Sequence, residues 1–133
     1  MSRRSDRRTA VFLLYQRDLL DAPAEELYQA HERDTGEAVT PWVRERVELA
    51  WRDRELLDRA IDEAATDWSA ERLATLERSI LRLSICELRL GDEPSPVVID
   101  EAVGLAKRYA SPEASSLVNG ILGRIARTEG VGS

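Results

Sequence analysis

The chain has 133 residues, 43% of them apolar, with a formal charge of −6. That is one domain's worth of chain with enough apolar residues for a proper core, and no run approaches the roughly 18 apolar residues of a membrane span. The early arginines are not followed by an apolar segment ending in small residues, so no secretory signal is read. A single Cys86 excludes an internal disulfide and reads as a small buried hydrophobe, which fits a reducing cytoplasm.

An evenly acidic surface would argue against nucleic acid, but the charge is uneven. Residues 1–20 carry five arginines and two acids, residues 21–71 six arginines and fifteen acids, and residues 72–133 eight of each sign. A basic tip on an acidic body flags a localised contact with an anion.

A first helix is expected from about Arg4 to Leu20. Within it Arg4, Arg8 and Tyr15 fall within about 40° of one another around the axis. Arginine forks grip phosphate oxygens and an aromatic ring stacks a base, the two parts a single-stranded RNA site needs. The same residues also read as a solvated helix end with Tyr15 packed beside Leu14 and Leu19. A short helix opens at Pro23 and runs to about Arg33, with Leu27 and Ala30 inward and His31 on the surface without metal-binding company. Asp34 to Val39 reads as a loop turning at Gly36.

Thr40-Pro41 is a cap followed by a proline at the first helical position. From there Val43, Val47, Ala50, Leu57, Ile61, Ala65 and Trp68 mark an apolar face on one long helix or two, with a break expected within Arg52 to Glu55. Leu73 to Leu90 is the stretch on which the core is organised. It is apolar around most of its circumference, with Thr75 as its expected cap, Gly91 as its stop, and a narrow exposed strip of Glu77, Arg78, Arg82, Glu87 and Arg89. Gly91 to Pro96 reads as a turn. A helix faced by Ile99, Ala102, Val103, Ala106 and Ala110 follows, with Lys107 and Arg108 at its dipole-favoured end. Ser111-Pro112 starts a last helix on Val118, Ile121, Leu122 and Ile125, in which Gly120 and Gly123 suggest close approach by another helix or a ligand. No strand-like alternation of useful length occurs. The reading is an all-α domain of about seven helices over 1–133: N-terminal helices in 1–68, central and C-terminal helices in 69–133.

Two stretches, ERSILRLSICEL (77–88) and PSPVVIDEAVGLAKRYASPEASSLVNGIL (94–122), resemble the C-terminal signature of the NusB family of transcription antitermination factors. The N-terminal RRSDRRTAVFLLYQ resembles that family's arginine-rich first helix. Together they cover about two fifths of the chain in the family's order. The resemblance implies two small helical bundles sharing a core, with no catalysis; the sequence offers no Cys/His ligand cluster, phosphate-cradling glycine loop or nucleophile–base pair, so no cofactor and no metal are expected. It also implies binding to boxA RNA of ribosomal RNA transcripts together with the ribosomal protein NusE, within an antitermination complex of RNA polymerase. Carried over by position, RNA contacts fall on Arg3, Arg4, Arg7 and Tyr15, with Arg8 on the same helix, and on Glu113 and Leu117. The NusE side falls on Glu77, Arg78 and Arg82. The chain departs from the family at Leu117, where phenylalanine is usual, at Glu113-Ala114, where an acid-serine pair is usual, and at Cys86, where a large aromatic is usual. Two other readings stand beside this one. The first is an RNA-binding domain of an RNA cytosine methyltransferase, a reading that fails if the protein ends at Ser133, since no glycine-rich βα segment to hold S-adenosylmethionine is read before it. The second is a protein-interaction module without RNA affinity, with a homodimer as one of its forms.

Overall fold

The computed structural model describes residues 2–65 and 73–130. Among them are seven helices and no strand: α1 (Arg3–Leu20), α2 (Ala24–Thr35), α3 (Pro41–Arg52), α4 (Arg54–Ala64), α5 (Thr75–Leu90), α6 (Ser95–Tyr109) and α7 (Pro112–Glu129). The helix starts follow local chemistry. Ser2, Thr40 and Ser111 each accept a hydrogen bond from the backbone N–H three residues on, at 3.1, 3.3 and 3.0 Å, satisfying a donor the helix leaves unpaired. Asp53 breaks α3 from α4, inside the expected stretch.

The ends also hold two corrections. Thr75 is the first helical residue of α5, not its cap. Ala74 occupies the cap without a side-chain bond, and the Thr75 carbonyl accepts from Ser79 Oγ at 2.8 Å. Pro96 lies inside α6, not in the preceding turn, because the first helical turn has no N–H to lose. α1 closes on Asp21 at φ 50°, a left-handed conformation that a short polar residue tolerates.

α5 packs against α1, α3, α4, α6 and α7, and every residue from Ser79 to Leu88 is buried. One apolar cluster draws residues from all seven helices, including Leu14 of α1, Leu57 of α4, Leu83 of α5 and Leu122 of α7. The expected apolar faces of α3, α4 and α7 are buried as read, whereas Trp68 lies outside the described residues. On α6 the buried line is Val98, Ala102 and Ala106, so the face sits slightly to one side of the expected one. Ala30 and His31 of α2 are half-buried, and Tyr28 is fully buried with its hydroxyl donating to Glu48 at 3.0 Å.

The exposed charged strip expected on α5 is corrected. Arg82 and Glu87 are buried, Glu77 and Arg78 are half-buried, and only Arg89 is open to solvent. Burial is possible because each buried charge meets its opposite on another helix. Arg82 forks onto Asp58 of α4 with two bonds of 2.8 Å, and Arg7 of α1 forks onto Glu87 at 2.8 and 3.0 Å. The expected close helix approach fails at Gly123: an added Cβ would meet only the tip of the flexible Arg127 side chain, at 3.3 Å.

Candidate nucleic-acid interface

α1 sorts its arginines onto two sides: Arg3 and Arg7, four residues apart, share the side that meets Trp42, and Arg4 and Arg8 share the side toward α6. Arg7 points inward. Its guanidinium bonds Glu87 and also Glu93 on the turn between α5 and α6, and its side chain is 5% exposed. Burial works against its charge, but the two carboxylates outweigh that and hold its pKa above the ordinary arginine value. Arg7 is therefore not on the exposed tip where its sequence position suggested. Its donors are committed to carboxylates, and it ties α1 to the start of α6.

Arg3 faces α3. It pairs with Asp6 at 2.9 Å, and its guanidinium lies 4.6 Å from the Trp42 ring centroid. Arg46 covers the same ring at 4.6 Å and also bonds Asp92, so Trp42 sits among cations close to the α5–α6 turn. Trp51 is held likewise between Arg17 and Arg54, at 4.6 and 4.3 Å. Sequence reasoning missed both arrangements. The i to i+4 spacing of Trp42 and Arg46 was a local signal, but Arg3 and Arg17 come from another helix.

Arg4 and Arg8 face α6 across a groove of about 430 Å³, whose other lining residues include Glu101, Gly104, Arg108 and Tyr109. Arg4 and Arg8 are exposed. Arg4 leans on Glu101, Nε to Oε2 3.3 Å, while most of its side chain stays in water. Phe12 packs edge-on against Tyr109 at 5.1 Å and against Tyr15 at 6.5 Å, so the three rings link α1 to the end of α6. The helical phase that grouped Arg4, Arg8 and Tyr15 thus corresponds to a single basic and aromatic side of the molecule. Arg108 lies 5.4 Å from the Tyr109 centroid and continues it. Sequence reasoning treated Lys107 and Arg108 only as partners of the helix dipole. The adjacent tyrosine was the signal that could have marked them.

Glu113 is exposed in the first turn of α7, and Leu117 is half-buried against the core cluster. On α5, Arg78 reaches Asp58 at 3.4 Å, the same carboxylate that Arg82 grips, and Arg82 extends to Asp18 of α1 at 3.6 Å. Burial opposes ionisation of Asp58, but Arg82 and then Arg78 hold its pKa below the usual carboxylate range. Burial raises the Cys86 thiol to about 11, so it stays protonated and packs as an apolar group. No group of metal-ligating side chains and no membrane-crossing helix occurs among the described residues.

The described residues thus form an all-helical domain with exposed arginines and aromatic rings gathered on the α1–α6 side. Comparison with known proteins gives the family. The chain matches the NusB family over residues 4–127. It is 40% identical over 130 residues to the transcription antitermination protein NusB of Heliobacterium modesticaldum, covering 96% of this chain and 63% of that protein. It is 39% identical over 129 residues to the NusB of Rubrobacter xylanophilus, covering 92% of this chain and 88% of that one. Among solved structures, the antitermination factor NusB crystallised with NusE and double-stranded RNA superposes with a TM-score of 0.84. Identity there is 30%, with 95% of this chain and 96% of that one covered. The chain belongs to the NusB family.

Proposed function

We propose that this chain is an RNA-binding transcription antitermination factor. It binds boxA-type RNA of nascent ribosomal RNA transcripts in the cytoplasm, together with the ribosomal protein NusE, and so suppresses termination by RNA polymerase. It works by binding, without catalysis or cofactor. The observation that carries this reading is the side of α1 on which exposed Arg4 and Arg8 stand beside the Phe12, Tyr15 and Tyr109 rings. Guanidinium forks supply sequence-independent phosphate contacts, and partly exposed aromatic rings stack unpaired bases. Arg3 on the adjoining side of α1, and Glu113 and Leu117 on α7, are the further RNA contacts. Arg7 acts as the buried anchor of that helix.

NusE is assigned to the side of Glu77 and Arg78, with Arg82 as the internal anchor that sets Asp58 beneath Arg78. A protein partner there is supported by Leu19 and Leu20, 55% and 64% exposed immediately after Asp18. The test is a titration of labelled single-stranded boxA RNA with this chain, alone and with equimolar NusE. Binding that tightens with NusE, and co-elution of all three components, is the expected result. Co-elution with NusE but no RNA binding under either condition would leave a protein-interaction module instead.

A further inference from the structure

The groove between α1 and α6 holds a feature that packing within the chain does not require. Gly104 sits in the middle of α6, where glycine costs helix stability relative to alanine. A Cβ there would meet nothing within 4 Å. No neighbouring helix therefore needs the glycine, yet it lies on the groove lining between Glu101 and Arg108. Leaving a side chain out keeps the floor open to whatever enters. Its volume of about 430 Å³ lies within the range of roughly 300–1,000 Å³ of small-molecule sites.

The walls say what would enter. Arg8 and Arg108 are exposed cations on opposite sides, and Lys107 stands beside Arg108 at the helix end. Tyr109 lines the groove and is braced edge-on by Phe12. Asp100 and Glu101 also line it, and Glu101 is engaged by Arg4. A ligand there must carry negative charge to gain from the arginines and a flat apolar face to use the ring.

We propose that this groove seats one unpaired nucleotide of the bound RNA: its phosphate lies between Arg8 and Arg108, its base lies against Tyr109, and its backbone passes over Gly104. Glu101, held by Arg4, is the negative charge on the groove lining that the phosphate has to approach. The proposal rests on the RNA-binding reading above and adds α6 as the second wall of the site.

The test uses the full chain and a 5′-labelled single-stranded boxA RNA, read by fluorescence anisotropy across a salt series. Arg108→Ala should weaken binding about tenfold and reduce the slope of log K against log salt by about 0.7. Gly104→Gln, a good helix former that fills the floor, should weaken binding while its thermal midpoint stays the same or rises. Glu101→Gln should tighten binding, a direction that loss of structure would not produce. A fully paired duplex of the same sequence should compete poorly, because its bases are not free to reach Tyr109. If the wild-type chain binds RNA but Arg108→Ala and Gly104→Gln bind equally well, or the duplex competes equally, the groove is not the seat. If the wild-type chain binds no RNA even at low salt, the functional reading fails and the subsite fails with it.

Discussion

Arg7 and Arg8 are neighbours on α1 and meet opposite surroundings. Arg7 lies in a seam of opposite charges between α1, α5 and the turn leading to α6, whereas Arg8 stands over an open groove. In the seam a cation is worth most to the fold, because removing it strands a carboxylate that water cannot reach. In the groove a cation is worth little to the fold and is free to meet an anion from outside. The difference shows that arginine content alone does not locate a binding surface. What locates it is which arginines the fold leaves without a committed partner.

The largest effect should come from breaking the seam. Arg7→Ala leaves Glu87 buried and unpaired, and should cost about 3–5 kcal/mol in urea unfolding, against less than about 0.5 kcal/mol for Arg8→Ala. Replacing Arg7 and Glu87 together by methionine should recover most of that loss, since the buried pair is gone and Glu93, 32% exposed, can turn to water. Equal costs for the two single variants would erase the contrast between the regions.

The second ionic seam, around Arg82, sharpens the same comparison through pH. The Asp58 pKa is lowered in the fold, so the stability it supplies is fully present above its unfolded value of about 3.9. That stability is lost as pH falls through the folded value. Asp58→Asn should cost about 1.5–3 kcal/mol at pH 7, and the gap from wild type should close on acidification. A gap independent of pH would mean the carboxylate's charge is not what stabilises α4 against α5.

Smaller effects are expected at the half-buried edge and on the surface. Leu117→Phe has core neighbours on one side and solvent on the other, so overpacking should cost only about 1 kcal/mol, the low end for a core site. A gain in boxA affinity in the same variant would support the carried-over RNA contact there; loss of stability alone would remove it. Gly123→Ala should stabilise by up to about 1 kcal/mol, because only the flexible tip of Arg127 has to move. A lower urea midpoint for Gly123→Ala would show that the backbone at Gly123 is needed as it stands.

Much of this architecture was legible in the sequence because helices announce themselves through local periodicity. The Thr40-Pro41 and Ser111-Pro112 starts, the break near Asp53 and the apolar circumference of α5 all depend on residues a few positions apart. The buried charges were not legible for the opposite reason. Arg7 and Glu87 are 80 positions apart, Arg46 and Asp92 46, and Arg82 and Asp58 24. A pattern that assigns charged residues to solvent therefore misplaces one whose partner arrives from a distant helix. The phase of α1 puts Arg4, Arg8 and Tyr15 on one side, whereas Arg108 and Tyr109 could join them only once α6 was seen to lie alongside.

The salt dependence of boxA RNA binding tests the central claim most directly, compared among the wild-type chain, the Arg4→Ala/Arg8→Ala double variant and Arg7→Lys. If the groove side of α1 grips the RNA phosphates, the slope of log K against log salt should fall by about 0.7 for each arginine removed, about 1.4 in the double variant. Arg7→Lys should keep the wild-type slope, since its charge is spent inside the fold. An unchanged slope in the double variant, or a reduced slope that appears in Arg7→Lys instead, would contradict the account.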